Sequence, residues 1–141
     1  MRYQNAKIIP SKKRLFNSSY DLESYMGQNS DDVGIVAVSG YLKREGIKRL
    51  YNIINKNLKL GITHFILNLS QVEHINYKDV NLILDIKEKI SRYKGEIKFV
   101  VKEPYIIDIL VVGGWPFIWN FYPSDSSAID AFKNEYSLIW R

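Results

Sequence analysis

The chain has 141 residues, of which 46% are apolar and 25% charged, a length and composition typical of one soluble globular domain. It contains no cysteine, which excludes disulfide bonds, thiolate catalysis and cysteine-ligated zinc. The net charge is +5, and residues 1–14 account for it through Arg2, Lys7, Lys12, Lys13 and Arg14. Nucleic-acid binders usually carry a basic face on the fold itself, so a basic arm disfavours nucleic acid as the partner. The arm is interpreted as a solvated tail, with contact to an acidic partner, RNA or a membrane surface as the alternative.

Residues 1–32 are interpreted as a basic N-terminal extension with weak structural signals, in which Lys7–Ile9 is a candidate strand and 20–26 a candidate helical turn. The N-terminus lacks the apolar h-region of a secretory signal. The longest apolar stretch, 104–119, is interrupted by acidic, glycine and proline residues and is too short to span a bilayer. We therefore expect a cytoplasmic protein with no membrane span.

After residue 32 the sequence alternates between two kinds of apolar pattern. Short apolar runs predict strands over 33–38, 64–70, 96–101 and 117–122. Apolar residues at helical spacing predict helices over 44–59, from Val80 to a stop at Lys94–Gly95, over 105–112 and over 126–136.

Strands that alternate with helices in this order indicate a mostly parallel sheet with right-handed crossovers. We predict an α/β domain over 33–141, with a four- to five-stranded, mostly parallel sheet packed with about four helices. Gly61 is expected to end the first helix in the left-handed conformation, and Ser124 or Asp125 to cap the last helix.

Four stretches carry a resemblance to a known family. They are the strand that ends at Gly40 with the helix that closes at Leu60–Gly61, then "FILNLSQVEHIN" at 65–76, "SRYKGEIKFVVKEPYIIDIL" at 91–110 and "PSDSSAIDAF" at 123–132. In order and spacing they resemble a STAS domain, the fold of bacterial anti-sigma-factor antagonists, with Asn68 where that family usually has aspartate. The resemblance implies a STAS-like fold and a signalling role.

The turn after the second strand is the position of most interest. The resemblance implies that these four residues are usually Asp-Ser-Ser/Thr-Gly and that a cognate kinase phosphorylates a serine there. This chain has Asn76-Tyr77-Lys78-Asp79 instead, with no serine or threonine hydroxyl and no glycine. The resemblance therefore implies that the serine switch cannot operate in this chain.

The same four residues also have local explanations. Asn76 is a preferred helix N-cap residue, and the Asp79 carboxylate could accept a hydrogen bond from its backbone N–H in an arrangement like a capping box. Lys78 is interpreted as a solvated lysine, with an anion site at the helix start as the alternative. Tyr77 is interpreted as an aromatic residue at the rim of a protein interface, with a tyrosine phosphate acceptor as the alternative.

Other chemistry is scarce. His64 and His74 are not spaced as a pair on one helix and have no third ligand, so we expect no metal site. The sequence has no nucleophile–base pair and no phosphate-binding glycine motif, so we expect no enzyme activity and no cofactor. Paired acids at Asp31–Asp32 are interpreted as solvated. The aromatic run Trp115, Phe117, Trp119, Phe121 and Tyr122 predicts core residues alternating with surface residues, with an exposed interface patch as the alternative.

The leading hypothesis is a non-catalytic protein-interaction domain of the STAS type in bacterial signalling. Its partner would be an anti-sigma-factor or kinase-like protein, as the resemblance implies, and homodimerisation stays open. The expected binding residues are those of the turn and the following helix: Asn76, Tyr77, Lys78, Asp79, Asn81 and Asp85. The alternatives are a nucleotide- or lipid-sensing module and a transporter-associated STAS subunit.

Overall fold

The structure, a computed structural model, describes residues 11–13, 20–26, 33–113 and 121–139. Several sequence-based expectations therefore lie outside the described residues. They concern the strand at Lys7–Ile9, the side chains of the basic arm, the Asp31–Asp32 pair, and Trp115, Phe117 and Trp119 of the aromatic run.

One six-stranded sheet forms the centre of the fold, with the strands adjacent in chain order. They are β1 (Ser11–Lys13), β2 (Tyr20–Met26), β3 (Val33–Leu42), β4 (His64–Ile75), β5 (Glu96–Val100) and β6 (Phe121–Tyr122). The four strands from β3 to β6 pair in parallel, and β1 and β2 add an antiparallel edge. The α/β class with a mostly parallel sheet is confirmed.

The expectation of a helical turn over 20–26 is wrong, because this segment is strand β2. It pairs with β3 from Tyr20–Gly40 to Met26–Gly34, and Leu22 is fully buried in the main core. Its seven residues mix polar and apolar side chains without a regular alternation, so the local pattern does not identify a strand, and pairing with β3 stabilises it.

Four helices cover the two faces of the sheet: α1 (Arg44–Lys59), α2 (Val80–Arg92), α3 (Pro104–Gly113) and α4 (Asp125–Ile139). The larger core, which includes Leu50 of α1, Ile83 of α2 and Ile106 of α3, lies on one face. A smaller core on the other face includes Ile129 and Phe132 of α4. Phe121 and Tyr122 are half-buried, the first against the larger core and the second against the smaller one.

Helix α1 ends as the sequence predicts. The N–H of Ile62 donates to the carbonyl of Asn57, and the N–H of Gly61 donates to that of Leu58, both at 3.0 Å. Gly61 has φ 98°, so the helix ends in a Schellman motif with glycine at the left-handed position.

Helix α2 ends in the same motif with a different residue at the strained position. The N–H of Gly95 donates to Ile90 and that of Lys94 to Ser91, but the left-handed residue is Lys94, at φ 60°. Gly95 is required for a separate reason: a Cβ there would overlap the carbonyl oxygen of Thr63 at the start of β4. Close packing of two backbones, and not backbone conformation, thus selects glycine at 95.

The capping of α4 confirms Ser124 as the predicted cap. The N–H of Ser127 donates to the Ser124 hydroxyl at 3.1 Å, and the Ser127 hydroxyl accepts from the N–H of Ser124 at 3.3 Å. This reciprocal pair is a capping box built from two serines.

A buried charge lies between β5 and α4. The Lys98 side chain is 1% exposed, and its Nζ lies 2.7 Å from Glu96 Oε2 and 4.6 Å from the ring centre of Phe132. An ion pair and an aromatic ring together compensate the ammonium for its lost hydration. The effect extends to α2, where burial lowers the pKa of Lys87, the charge of Glu96 opposes this and that of Lys98 adds to it.

Strand β4 is longer than the predicted 64–70, and its extra length positions the turn. It pairs with β5 only from His64 to Asn68, while residues 69–75 continue beside β3. The register against β3 shifts twice, between the pairs Ala37–Asn68 and Ser39–Gln71 and between Gly40–Val72 and Tyr41–His74. Each shift places one extra residue in β4, which is a β-bulge.

Asn68 organises the first bulge with both ends of its amide. Its Oδ1 accepts from the N–H of Ser70 at 2.9 Å and from the Ser70 hydroxyl at 2.6 Å. Its Nδ2 donates to Asp125 Oδ1 at 2.8 Å, at the first residue of α4. An aspartate here could accept the two Ser70 bonds but could not donate to Asp125.

We predict that Lys94→Gly raises the free energy of unfolding by about 0.5–1 kcal/mol, because it removes the left-handed strain of a residue with a Cβ at a smaller cost in chain entropy. Gly95→Ala should lower it by about 2 kcal/mol or more, because the new methyl group overlaps a backbone oxygen. Urea denaturation measures both. Lys48→Gly, at an exposed position inside α1, is the control and should destabilise by about 0.5–1 kcal/mol. A similar loss for Lys94→Gly would contradict the strain at 94.

We predict that Asn68→Asp destabilises the fold by about 2 kcal/mol at pH 7, because two carboxylates then meet where a charge-assisted hydrogen bond stood. Urea denaturation of single and double variants at pH 7 tests this. Asp125→Asn alone should cost less, and Asn68→Asp with Asp125→Asn should recover most of the stability. A double variant as unstable as Asn68→Asp would refute the pairing.

Candidate partner-binding surface

The turn between β4 and α2 begins with Asn76. The residues Tyr77–Asp79 form one 3₁₀ turn, and Asn76 caps it by accepting the N–H of Lys78 at its Oδ1, at 3.1 Å. The carbonyl of Asn76 accepts the N–H of Asp79 at 2.9 Å. Asn76 therefore caps a helix, as the sequence predicts.

The prediction that Asp79 completes a capping box with Asn76 is wrong. Asp79 precedes α2 directly, and its side chain forms no capping hydrogen bond. The physical reason is that a separate 3₁₀ turn follows Asn76, so Asp79 precedes α2 as its N-cap residue and does not occupy the third position of an α-helix that Asn76 caps, as a capping box requires.

The candidate docking surface, defined as Asn76, Tyr77, Lys78, Asp79, Asn81 and Asp85, is mostly exposed. Tyr77 is 58% exposed, a large value for an aromatic side chain, and Asp79 is half-buried. Asn81 and Asp85 are four residues apart on α2, so they lie on the same outward side of that helix. The six residues thus form one stretch of surface at the end of β4.

The end of α3 packs against this turn. A Cβ on Gly113 would lie 2.6 Å from Cβ of Val80 and 3.0 Å from the carbonyl oxygen of Tyr77. The last residue of α3 therefore packs its backbone directly against the turn, which fixes the turn's position. Any larger residue at 113 would have to displace it.

Next to the turn lies a group of aromatic residues that sequence reasoning missed. His74 Nδ1 and the Tyr105 hydroxyl are 2.7 Å apart, and the two rings stack with centres 5.8 Å apart. Tyr41 lies against His74 at 5.9 Å, and Tyr41 and Tyr105 are 45% and 54% exposed. Three different elements supply these residues, so no local pattern could have revealed the group.

An open cavity of about 360 Å³ lies beside this group. Its lining comes from the bulged end of β4 and from the start of α3: Ser70, Gln71, Val72, Glu73, Glu103, Tyr105 and Ile106. Its charged lining residues are both acidic.

Two further properties apply to the part of the chain that the structure describes. It holds no group of three or more histidine, aspartate or glutamate residues that could ligate a metal ion. Among its helices, none has the length and apolar character that a bilayer crossing requires.

Comparison with solved structures gives relatives of the same fold. SpoIIAA of Bacillus, an anti-sigma factor antagonist, in its unphosphorylated form matches with a TM-score of 0.63 and 12% identity, over 89% of this chain and 97% of that one. An anti-sigma factor antagonist from Mycobacterium paratuberculosis matches at 0.63 and 19%, over 89% and 96%. The murine solute carrier 26 family member A9 anion transporter matches at 0.59 and 12%, over 90% of this chain and 23% of the transporter.

No match was found among curated protein sequences. The model of the STAS domain family matches residues 25–128, which is most of the chain and begins within β2. The resemblance found in the sequence is thereby confirmed, and the chain belongs to the STAS domain family.

Proposed function

We propose that this protein is a non-catalytic interaction domain of the anti-sigma-factor-antagonist type, working in the bacterial cytoplasm without a cofactor. Membership of the STAS family and the fold shared with SpoIIAA support this. Its partner is a protein of the anti-sigma-factor or kinase-like class, and it docks through the candidate docking surface.

The observation that carries the proposal is an exposed turn without a serine or threonine. SpoIIAA has been solved in both unphosphorylated and phosphorylated forms. In this chain the turn reads Asn76-Tyr77-Lys78-Asp79, so no serine phosphate can form there. A phosphate would add about 1.5–2 negative charges at pH 7, enough to break an interface, and this turn avoids that change. Binding is therefore constitutive with respect to serine phosphorylation of the turn.

The chemistry of the surface suits a protein partner. Tyr77 is an exposed aromatic residue in a backbone held by Asn76 and by Gly113, so little conformational freedom is lost when it is buried. Tyrosine is enriched at the centres of interfaces. The surrounding Lys78, Asp79 and Asp85 carry both signs of charge, which favours specificity over tight nonspecific binding.

A second candidate function is a module that senses a nucleotide or a lipid or works beside a transporter. The likeness to a domain of the murine anion transporter supports the transporter role, and the cavity between β4 and α3 supports a sensor. A small molecule retained through purification and identified by native mass spectrometry would favour the sensor.

We predict that the protein, used as bait in its native cell, captures a partner that Tyr77→Ala with Lys78→Glu loses at least tenfold, because an interface anchor and a charge are both changed. Mass spectrometry with isotope labelling quantifies the capture. The matched control is Tyr93→Ala with Lys89→Glu, at the far end of α2, where Lys89 also lies near a tyrosine ring, at 6.0 Å.

The control should capture the partner as the unaltered protein does, and phosphatase treatment of the bait should change nothing. An equal loss of partner capture in both variants would show that the candidate docking surface is not where the partner binds. Capture that depends on phosphatase treatment would contradict constitutive binding.

A further inference from the structure

We propose that the cavity between the bulged end of β4 and the start of α3 binds a guanidinium group, presented by an arginine side chain of the protein partner. The inference rests on the proposed function and adds to it a second contact point and the partner's chemistry there. The cavity is lined by Ser70, Gln71, Val72, Glu73, Glu103, Tyr105 and Ile106.

The charge of the cavity selects a cation. Glu73 and Glu103 are its two charged lining residues, and both are exposed. Within the described residues neither carboxylate is in a salt bridge, so both are available to a ligand. Two carboxylates from different elements can accept hydrogen bonds from one planar, five-donor guanidinium at separate N–H groups.

The start of α3 offers few free N–H groups, so it does not favour an anion over a cation in the cavity. Pro104 has no N–H, and the N–H groups of Ile106 and Ile107 both donate to the carbonyl of Glu103, at 3.0 and 3.2 Å. Free N–H groups are what make a helix start bind anions, and here three of the first four residues offer none.

The aromatic wall favours guanidinium over a simple ammonium ion. Tyr105 lines the cavity, and its hydroxyl is held at 2.7 Å from His74 Nδ1, so its ring is fixed before any ligand arrives. Guanidinium stacks on aromatic rings and forms forked hydrogen bonds with carboxylates, whereas ammonium is a more strongly hydrated point charge.

The position of the cavity favours a partner's side chain over a free small cation. Glu73 of the cavity lies three residues before Asn76, about 10 Å along the chain at the end of β4, so one docked protein can reach both the cavity and the candidate docking surface. It is open to solvent beside the exposed Tyr105, and an arginine on a docked protein could reach it without any opening of the fold.

The test uses the full-length, ¹⁵N-labelled protein and three probes: N-acetyl-arginine amide, N-acetyl-lysine amide and N-acetyl-citrulline amide, the last an uncharged shape match for arginine. We expect the arginine probe to shift the amide signals of Gln71–Glu73 and Tyr105 and to bind more tightly than lysine, with citrulline weakest. Glu73→Gln and Glu103→Gln should each weaken the arginine probe by about twofold to fivefold, and the double variant by about tenfold. The control Glu88→Gln, on the outer side of α2, should leave binding unchanged.

The second arm repeats the partner capture with the Glu73→Gln, Glu103→Gln double variant. Loss of both probe binding and capture supports the inference. If the unaltered protein binds the arginine probe but the double variant still captures the partner fully, the guanidinium group does not come from the partner, and the site is assigned to a free organic cation. No probe binding, or equal binding of citrulline, overturns the site itself. In that case the Tyr77 and Lys78 variant still decides the proposed function separately.

Discussion

The end of the sheet that carries the candidate docking surface depends on the amide of Asn68. Beyond this residue β4 has lost β5 as a neighbour, and Ser70 falls in a gap of the register with β3. A backbone N–H left without a partner in a half-buried place is costly, and Asn68 Oδ1 removes that cost. Its Nδ2 at the same time holds Asp125 at the start of α4. One side chain thus fixes the bulge and joins the strand to the helix on the opposite face.

The bulged end of β4 positions both the aromatic group and the turn. The second bulge brings His74 opposite Tyr41, and the strand then ends at Ile75, where the 3₁₀ turn begins. Because β5 stops at Val100, α3 can fill the space beside the projecting strand. Gly113 supports the turn from that side, and Tyr105 supports His74. The mismatch in strand length therefore creates both the projecting turn and the adjoining cavity.

The turn is held in one conformation, and it lacks the hydroxyl on which a serine switch would depend. Asn76 and the tight turn after it hold Tyr77 outward, although no serine hydroxyl is left to carry a phosphate. A preformed surface without a serine or threonine suits the proposed constitutive binding better than a serine-phosphorylation switch. The two acidic residues in the cavity would add a charge preference to a surface otherwise made of tyrosine and mixed charges.

The sequence alone determined the parts that depend on local periodicity and capping. Helix α1 is predicted over its observed range, Gly61 and Ser124 act as expected, and the STAS family emerges from short motifs in order. Strand β2, the end of β4 and the grouping of Tyr41, His74 and Tyr105 could not be predicted in that way. Strand β2 has no regular apolar alternation and is stabilised by the neighbour that pairs with it. Bulges come from the register between two strands, and a contact between residues 31 positions apart requires the finished fold. Local energies favour the helices and the ends of α1 and α4, whereas the packing of distant segments selects Gly95 after α2 and decides the surface that the protein presents.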